Sequence, residues 1–280
     1  MSATEPSAME TETSTMQEVK RVAFYISVLA TLAAFLITTG ELFLLLGLGF
    51  VIGEELGIHQ LHVMGIAIGV FFAFLGVLVQ LYKPIRRVAS FQAAAILLLI
   101  AAIIFTVIPN ETAVILYPFV GAFILMGILH PAGTKLLTVR NRYSPAVLGL
   151  TLLAAIPLLA FAVDQLTLQM SGDEHALMGH YGMMATVSLT ILAAGLLVSF
   201  QSIGYRLLGW LTAFMTAYFG VLSVALQPQA SNVGVLWGAL AIVWAIALVV
   251  ATEMTLRNPE SAYFNRILGE REETVTGKPA

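Results

Sequence analysis

The chain contains no cysteine, and only 10% of its 280 residues are Asp, Glu, Lys or Arg. The lack of cysteine excludes disulfides, thiolate metal sites, iron–sulfur clusters and cysteine nucleophiles. Soluble domains carry about 25% charged residues, so a chain with this little charge and 59% hydrophobic residues must expose most of its surface to lipid. A net charge of −3 without a basic patch excludes nucleic-acid binding. These absences indicate an integral membrane protein.

The apolar residues fall into eight stretches, each close to the roughly 20 residues that a membrane-spanning helix needs. The stretches cover residues 24–45, 62–82, 89–108, 113–130, 145–164, 181–200, 207–227 and 233–255. The first apolar run, from Val22 to Ile52, is longer than one crossing requires. Its helix therefore either tilts and projects from the membrane or ends in the interface. The pattern predicts an all-α integral membrane protein with eight transmembrane helices.

The cations indicate how the helices are oriented. When the loops are numbered alternately, all 13 Lys and Arg fall on one side of the membrane. By the positive-inside rule that side is cytoplasmic, which predicts a multi-pass protein of the cytoplasmic (plasma) membrane with both termini inside (N-in/C-in). The cations are Lys20, Arg21, Lys83, Arg86, Arg87, Lys135, Arg140, Arg142, Arg206, Arg257, Arg266, Arg271 and Lys278.

The two halves of the chain correspond when one is shifted by about 119 residues. The shift places Gly76 on Gly195, Arg87 on Arg206 and Pro109 on Pro228. Four helices per half is an even number, so the halves share an orientation and form two parallel-repeat four-helix bundles. The predicted divisions are a disordered acidic cytoplasmic tail (1–21), the first half (22–131), a basic cytoplasmic loop (132–144), the second half (145–256) and a cytoplasmic tail (257–280).

Four of the five histidines lie at the predicted outer ends of two spans. His59 and His62 lead into the second span, while His175 and His180 lead into the sixth, at equivalent places in the repeat. Ionisable residues at membrane depth are costly and are functional candidates by default. This position predicts a site near the outer face to which each half contributes.

Three interpretations of these histidines are open. As neutral imidazoles they would ligate haem near the outer face, since a four-helix unit suits a flat macrocycle. The alternative cofactor is copper, which imidazole and thioether groups both suit, with His62, His180, Met178 and Met183 as the metal ligands. In the third interpretation they are solvated loop residues that bind nothing.

Two segments of the chain resemble the haem A synthase family. They are Glu55-Leu-Gly-Ile-His-Gln-Leu-His62 and His175-Ala-Leu-Met-Gly-His-Tyr181, which match the family's histidines at the outer starts of the second and sixth helices. That family also has eight helices in two four-helix halves, an N-in topology and a carboxylate before the first of these histidines. Further similar segments are Phe105-Thr-Val-Ile-Pro109 and Tyr218-Phe-Gly-Val-Leu-Ser-Val-Ala-Leu-Gln-Pro228.

The resemblance implies a haem-modifying membrane oxidoreductase. It implies haem as cofactor, the four outer histidines as cofactor-binding residues, and respiratory-chain or haem-pathway membrane proteins as partners within the lipid bilayer. Glu55, and Glu41 near the outer end of the first span, are the candidate catalytic or proton-transferring groups. The family places further histidines near the outer starts of the fourth and eighth helices, where this chain has Tyr117 and Trp237.

A transporter of a small solute or metal ion is the alternative function class. Parallel repeats, glycine-rich helices and acidic outer loops are typical of it. A transporter would place ionisable residues at the membrane midplane, whereas this chain places its histidines at equivalent helix starts. A structural or assembly subunit of a respiratory complex is a third class.

Overall fold

The computed structural model describes residues 8–52, 59–108, 110, 112–138 and 142–257. Its helices are α1 (Ala8–Ile52), α2 (Gln60–Leu78), α3 (Val88–Val107), α4 (Thr112–Leu129), α5 (Pro145–Gln169), α6 (Glu174–Leu177), α7 (His180–Ser199), α8 (Tyr205–Ala225) and α9 (Gly234–Arg257). Among the described residues, seven helices are long and apolar enough to cross a membrane, and α4 contributes a shorter apolar stretch, Val114–Leu129. The prediction of an all-helical, multi-pass membrane protein is confirmed, with seven to eight spans.

The helices form an inner and an outer set. The inner helix α7 contacts α2, α3, α5 and α8, and most of its residues are buried. The outer helices α1, α5 and α9 expose large apolar side chains such as Ile37, Ile156 and Val243. Lipid tails are as apolar as these side chains, so the exposed faces are suited to contact with the hydrocarbon core.

Glycines allow the inner helices to pack closely. A Cβ added to Gly65 of α2 would lie 2.7 Å from the Met184 sulfur of α7, and one added to Gly69 would lie 2.8 Å from Val187. The polar groups buried nearby are satisfied within their own helix, as when the Thr186 hydroxyl donates to the Gly182 carbonyl at 2.9 Å. The two halves therefore meet through α2 and α3 of the first and α7 and α8 of the second.

Helix α1 is continuous over 45 residues. At about 1.5 Å per residue it is long enough to cross the hydrocarbon core and project well beyond it. The acidic composition of residues 1–21 predicts a disordered tail, and α1 of the structure begins within it, at Ala8. Helix formers such as Glu, Met, Gln and Lys allow this segment to continue the helix of the apolar segment that follows it. Residues 1–7 lie outside the described residues.

The turns that carry the cations meet at one end of the bundle. The Ala89 N–H donates to the Ile203 carbonyl at 2.8 Å, and the Ser144 N–H donates to the Ser199 carbonyl at 2.8 Å. At the same end Arg206 pairs with Glu253 of α9 at 2.8 Å. We call this the cation-rich end.

His130 follows α4 at the cation-rich end and is 3% exposed. The Gln80 amide N–H donates to the Gly76 and Arg87 carbonyls, so its carbonyl oxygen accepts from His130 Nε2 at 3.2 Å. His130 Nδ1 accepts from the Ala132 N–H at 3.1 Å. Both ring nitrogens are thus used by the neutral form, and burial lowers the pKa of His130 to about 4.

We expect acid to destabilise the protein through His130. Because folding lowers the pKa of His130 from 6.5 to about 4, its contribution to stability is complete above pH 6.5 and is lost as pH falls toward 4. At about 1.4 kcal/mol per pKa unit, this amounts to about 2 kcal/mol between pH 6.5 and 5. Asn does not titrate here and retains an acceptor for the Ala132 N–H. Unfolding in detergent should therefore show a smaller loss between these pH values for His130→Asn than for the wild type; equal losses would contradict the assignment.

Candidate metal centre

The end of the bundle opposite the cation-rich end brings the starts of α2 and α7 together. His59 precedes α2, and His62 lies in its first turn. His175 lies in the short helix α6, whose first turn is capped by Asp173 through a 2.9 Å hydrogen bond from the Ala176 N–H. Gly179, with φ +76°, ends this turn in the left-handed conformation and is the N-cap of α7, which begins at His180.

The four histidines form one cluster. Ligand nitrogens of His62, His175 and His180 all lie within 4.8 Å of one another. His59 joins them through a hydrogen bond of 2.8 Å between its Nδ1 and His175 Nε2. The ring centroids are 4.3 Å apart for His59 and His175, 4.9 Å for His62 and His175, and 5.2 Å for His62 and His180.

One fully buried nitrogen of the cluster has no hydrogen-bond partner among the described residues. His62 and His180 are 2% and 9% exposed, while His59 and His175 are half-buried. Among the described residues, His180 Nδ1 is buried without a hydrogen bond, whereas His62 Nε2 contacts the Ser231 hydroxyl at 2.7 Å. A buried polar atom left unpaired costs about 1–3 kcal/mol, and such an atom calls for a physical explanation.

Amide side chains hold the backbone around the cluster. Gln169 of α5 accepts from the Gly182 N–H at 2.7 Å and donates to the Ala176 carbonyl at 2.6 Å. Across the cluster, Gln229 accepts from the Leu61 N–H at 2.9 Å. The starts of α2 and α7 are therefore fixed by hydrogen bonds to side chains from other helices and loops.

An ionised carboxylate lies beside the cluster. The hydrogen bond from the Ala176 N–H, followed by that from the Tyr181 hydroxyl at 3.2 Å, holds the pKa of Asp173 below its ordinary value. The Tyr181 ring also packs against His62 and His175, with centroids 5.3 and 5.6 Å away. Asp173 thus places a negative charge near the imidazoles, which favours a cation at the cluster.

Within the part of the chain that it describes, the structure does not place the predicted acids and methionines in the histidine cluster as it does the four histidines. Glu41 is exposed on α1, and no hydrogen bond or ion pair of the described residues involves it. Glu55 lies outside the described residues. Met183 is buried in the main apolar core, and Met178 is half exposed. The catalytic and metal-ligand assignments of these four residues remain predictions.

The polar residues around the histidines are not among those predicted for the site. Gln165 and Gln169 are four residues apart on α5, just beyond the predicted span 145–164, and both are buried. Two glutamines at this spacing share one face of a helix, which is a signal that the sequence offers. Ser231 lies in a polar loop where no pattern distinguishes it from its neighbours.

Comparison of the chain with known protein families, curated proteins and solved structures finds no match. The function of the protein must therefore be inferred from the chemistry of the histidine cluster. That chemistry consists of closely spaced imidazoles, one orphaned nitrogen and a neighbouring carboxylate.

Proposed function

We propose that this protein is a multi-pass membrane protein that binds a divalent transition-metal ion, Zn²⁺ or Cu²⁺, through His62, His175 and His180. The observation that carries the proposal is the convergence of their nitrogens within 4.8 Å from two halves of the chain. Neutral imidazole suits both ions. Three histidines with a fourth position left for water or another ligand are an established zinc arrangement.

The spacing of the nitrogens is close to what an ion requires. Zn–N bonds of about 2.0–2.1 Å place the ligands of a tetrahedral ion roughly 3.3 Å apart. Three atoms within 4.8 Å of one another lie within roughly 2.8 Å of a common centre. Each nitrogen thus needs to move by less than about 1 Å to reach the Zn–N distance, which small rotations of the imidazoles can provide. The orphaned His180 Nδ1 marks a nitrogen that an ion would satisfy.

The contacts between the rings favour an ion over a haem. Two axial histidines of one haem face each other across the macrocycle. Here His59, His62 and His180 each lie edge-on or tilted against a neighbouring ring, with centroids 4.3 to 5.8 Å apart. A macrocycle does not fit between rings in direct contact. Of the two cofactors that the sequence suggests, a directly coordinated ion is therefore the better supported.

Metal content and absorption together test this proposal. Protein purified in detergent, stripped with chelator and dialysed against Zn²⁺ should retain one ion per chain by elemental analysis. The triple variant His62→Ala, His175→Ala, His180→Ala should retain none, whereas His130→Asn, which changes a buried histidine outside the cluster, should retain one. Failure of the wild type to hold Zn²⁺ or Cu²⁺ above the triple variant would overturn the proposal. A Soret band after haem is supplied during expression would instead support the haem hypothesis.

We also propose that eight helices cross the membrane as two parallel repeats, with the cation-rich end in the cytoplasm. The shift of about 119 residues relates the starts of α2 and α7, at Gln60 and His180, and the ends of α3 and α8, at Val107 and Ala225. Neighbour relations support the repeat, because α1 packs on α2 and α4 as α5 packs on α7 and α9. The positive-inside rule supports the orientation.

Labelling of single introduced cysteines tests the orientation. Because the chain has no cysteine of its own, only the introduced residue can react. Arg86 and Ser171 are exposed at opposite ends of the bundle. We expect a membrane-impermeant maleimide to label Ser171→Cys in intact cells and Arg86→Cys only after the membrane is opened. The reverse pattern would show that the histidine cluster faces the cytoplasm.

A further inference from the structure

A chain of hydrogen bonds runs from the histidine cluster to the surface of α5. The His62 Nε2 atom contacts the Ser231 hydroxyl at 2.7 Å. That hydroxyl donates to the side-chain oxygen of Gln165, and the Gln165 amide N–H donates to the Asp164 carboxylate at 3.0 Å. Gln165 is fully buried, while Asp164 is exposed. This series of hydrogen bonds therefore connects the start of α2, through the loop before α9, to α5.

The chemistry of each group fixes the direction of this chain. The Gln165 NH₂ donates to the Asp164 carboxylate, so the side-chain carbonyl oxygen of Gln165 is the atom that faces Ser231. The opposite amide orientation would set a carbonyl oxygen against the carboxylate. Because a carbonyl oxygen only accepts, the single hydroxyl proton of Ser231 is used on Gln165. Ser231 can therefore only accept from His62, whose Nε2 must carry the proton.

We propose that Ser231, Gln165 and Asp164 are positioning residues that hold His62 in the Nε2–H tautomer, so that His62 binds the ion through Nδ1. The inference rests on the proposed metal site. A neutral imidazole carries one lone pair, and the nitrogen that lacks the proton is the one that can ligate. Metal-bound histidines are commonly held in this way by a hydrogen bond from the other ring nitrogen.

The backbone at Ser231 supports this role and sets the choice of variant. Ser231 has φ +64°, a left-handed conformation that non-glycine residues rarely adopt. Glycine adopts it without strain, so Ser231→Gly removes the hydroxyl without disturbing the turn, whereas Ala would retain the strain. Ser223→Ala is the matched control, because the Ser223 hydroxyl is buried nearby on α8 without a partner among the described residues.

The test measures Zn²⁺ affinity and the tautomer of His62 separately. We expect Ser231→Gly to bind Zn²⁺ about 10–100-fold more weakly than the wild type, the usual effect of losing an outer hydrogen-bond partner of a ligand. Ser223→Ala should bind like the wild type. In ¹⁵N-histidine NMR of the metal-free protein, the His62 signals, assigned by their loss in His62→Ala, should show protonated Nε2. In Gln165→Leu, Ser231 is free to donate, and the Nδ1–H tautomer should become populated.

The outcomes distinguish this inference from the metal proposal. Wild-type protein that binds Zn²⁺ no better than Ser231→Gly, or that shows His62 protonated at Nδ1, would overturn the positioning role while leaving the metal site in place. Wild-type protein that binds neither Zn²⁺ nor Cu²⁺ would overturn the metal site. Because the NMR measurement uses metal-free protein, it would still decide whether Ser231 sets the tautomer.

Discussion

Replacing His62 by Ala is expected to lower Zn²⁺ affinity by more than about 100-fold. Loss of an outer hydrogen-bond partner already costs about 10–100-fold, and this substitution removes a ligand itself. His62 is 2% exposed at the start of α2, so water has little access to take the place of the imidazole. His180→Ala should have an effect of the same size, since His180 is buried and carries the orphaned nitrogen. Isothermal titration of metal-free protein with Zn²⁺ measures both losses.

His59→Ala provides a graded comparison within the same cluster. His59 is half-buried and contacts His175 through the 2.8 Å hydrogen bond between their rings. Its removal should cost about 10–100-fold if it only orients His175. A loss as large as that of His62→Ala would instead make His59 a fourth ligand. Equal affinity in His59→Ala, His62→Ala and the wild type would contradict a metal site at the cluster.

Thermal unfolding gives an independent measure of the same binding. An ion held by His62 from the first half and by His175 and His180 from the second joins the two halves of the chain. Free Zn²⁺ at about 100 times its dissociation constant should stabilise the folded protein by about 2.7 kcal/mol. The stabilisation should be absent from His62→Ala and retained in His130→Asn. An equal thermal shift in His62→Ala would indicate that Zn²⁺ acts elsewhere on the protein.

The membrane-spanning helices could be predicted from the sequence because hydropathy alone determines them. Each predicted stretch lies largely within one helix, for example 89–108 within α3 (Val88–Val107). The extent of α1 could not be predicted in this way. Its N-terminal segment is polar and acidic, a composition that suits a disordered tail as well as a helix. From Ala8 onward this segment is helical and continuous with the apolar part of α1.

The meeting of the histidines was partly predictable. The repeat predicts equivalent places for His62 and His180, but periodicity does not show that the two helix starts face each other. His175 reaches the cluster through a capped turn of helix and the left-handed Gly179, which are local geometries that a hydropathy pattern does not contain. Ser231 reaches His62 across 169 residues of sequence. Such contacts depend on how α5 and α9 pack, which no single segment determines.

Gly204→Ala is expected to destabilise the protein by about 3 kcal/mol or more. Gly204 has φ +89°, and an added Cβ would lie 2.4 Å from the Arg86 carbonyl oxygen and 3.2 Å from the Arg87 Cα. The left-handed conformation alone costs an L-residue about 1–2 kcal/mol. Both contacts are to backbone atoms that cannot rotate away. The turn must therefore separate from the α2–α3 turn, which also weakens the 2.8 Å hydrogen bond between Ala89 and Ile203.

Gly133→Ala separates the clash from the conformational strain. Gly133 lies in the loop between α4 and α5 and has φ +55°, but an added Cβ there would meet nothing within 4 Å. Its substitution should therefore cost only the conformational term of about 1–2 kcal/mol. In detergent, Gly204→Ala should lower the Tm by on the order of 5–10 °C and Gly133→Ala by clearly less. Equal losses would mean that contact between the turns of the two halves contributes nothing. A larger loss at Gly204 would show that the halves are held together at the cation-rich end by backbone packing, independently of any ion bound by the histidines at the opposite end.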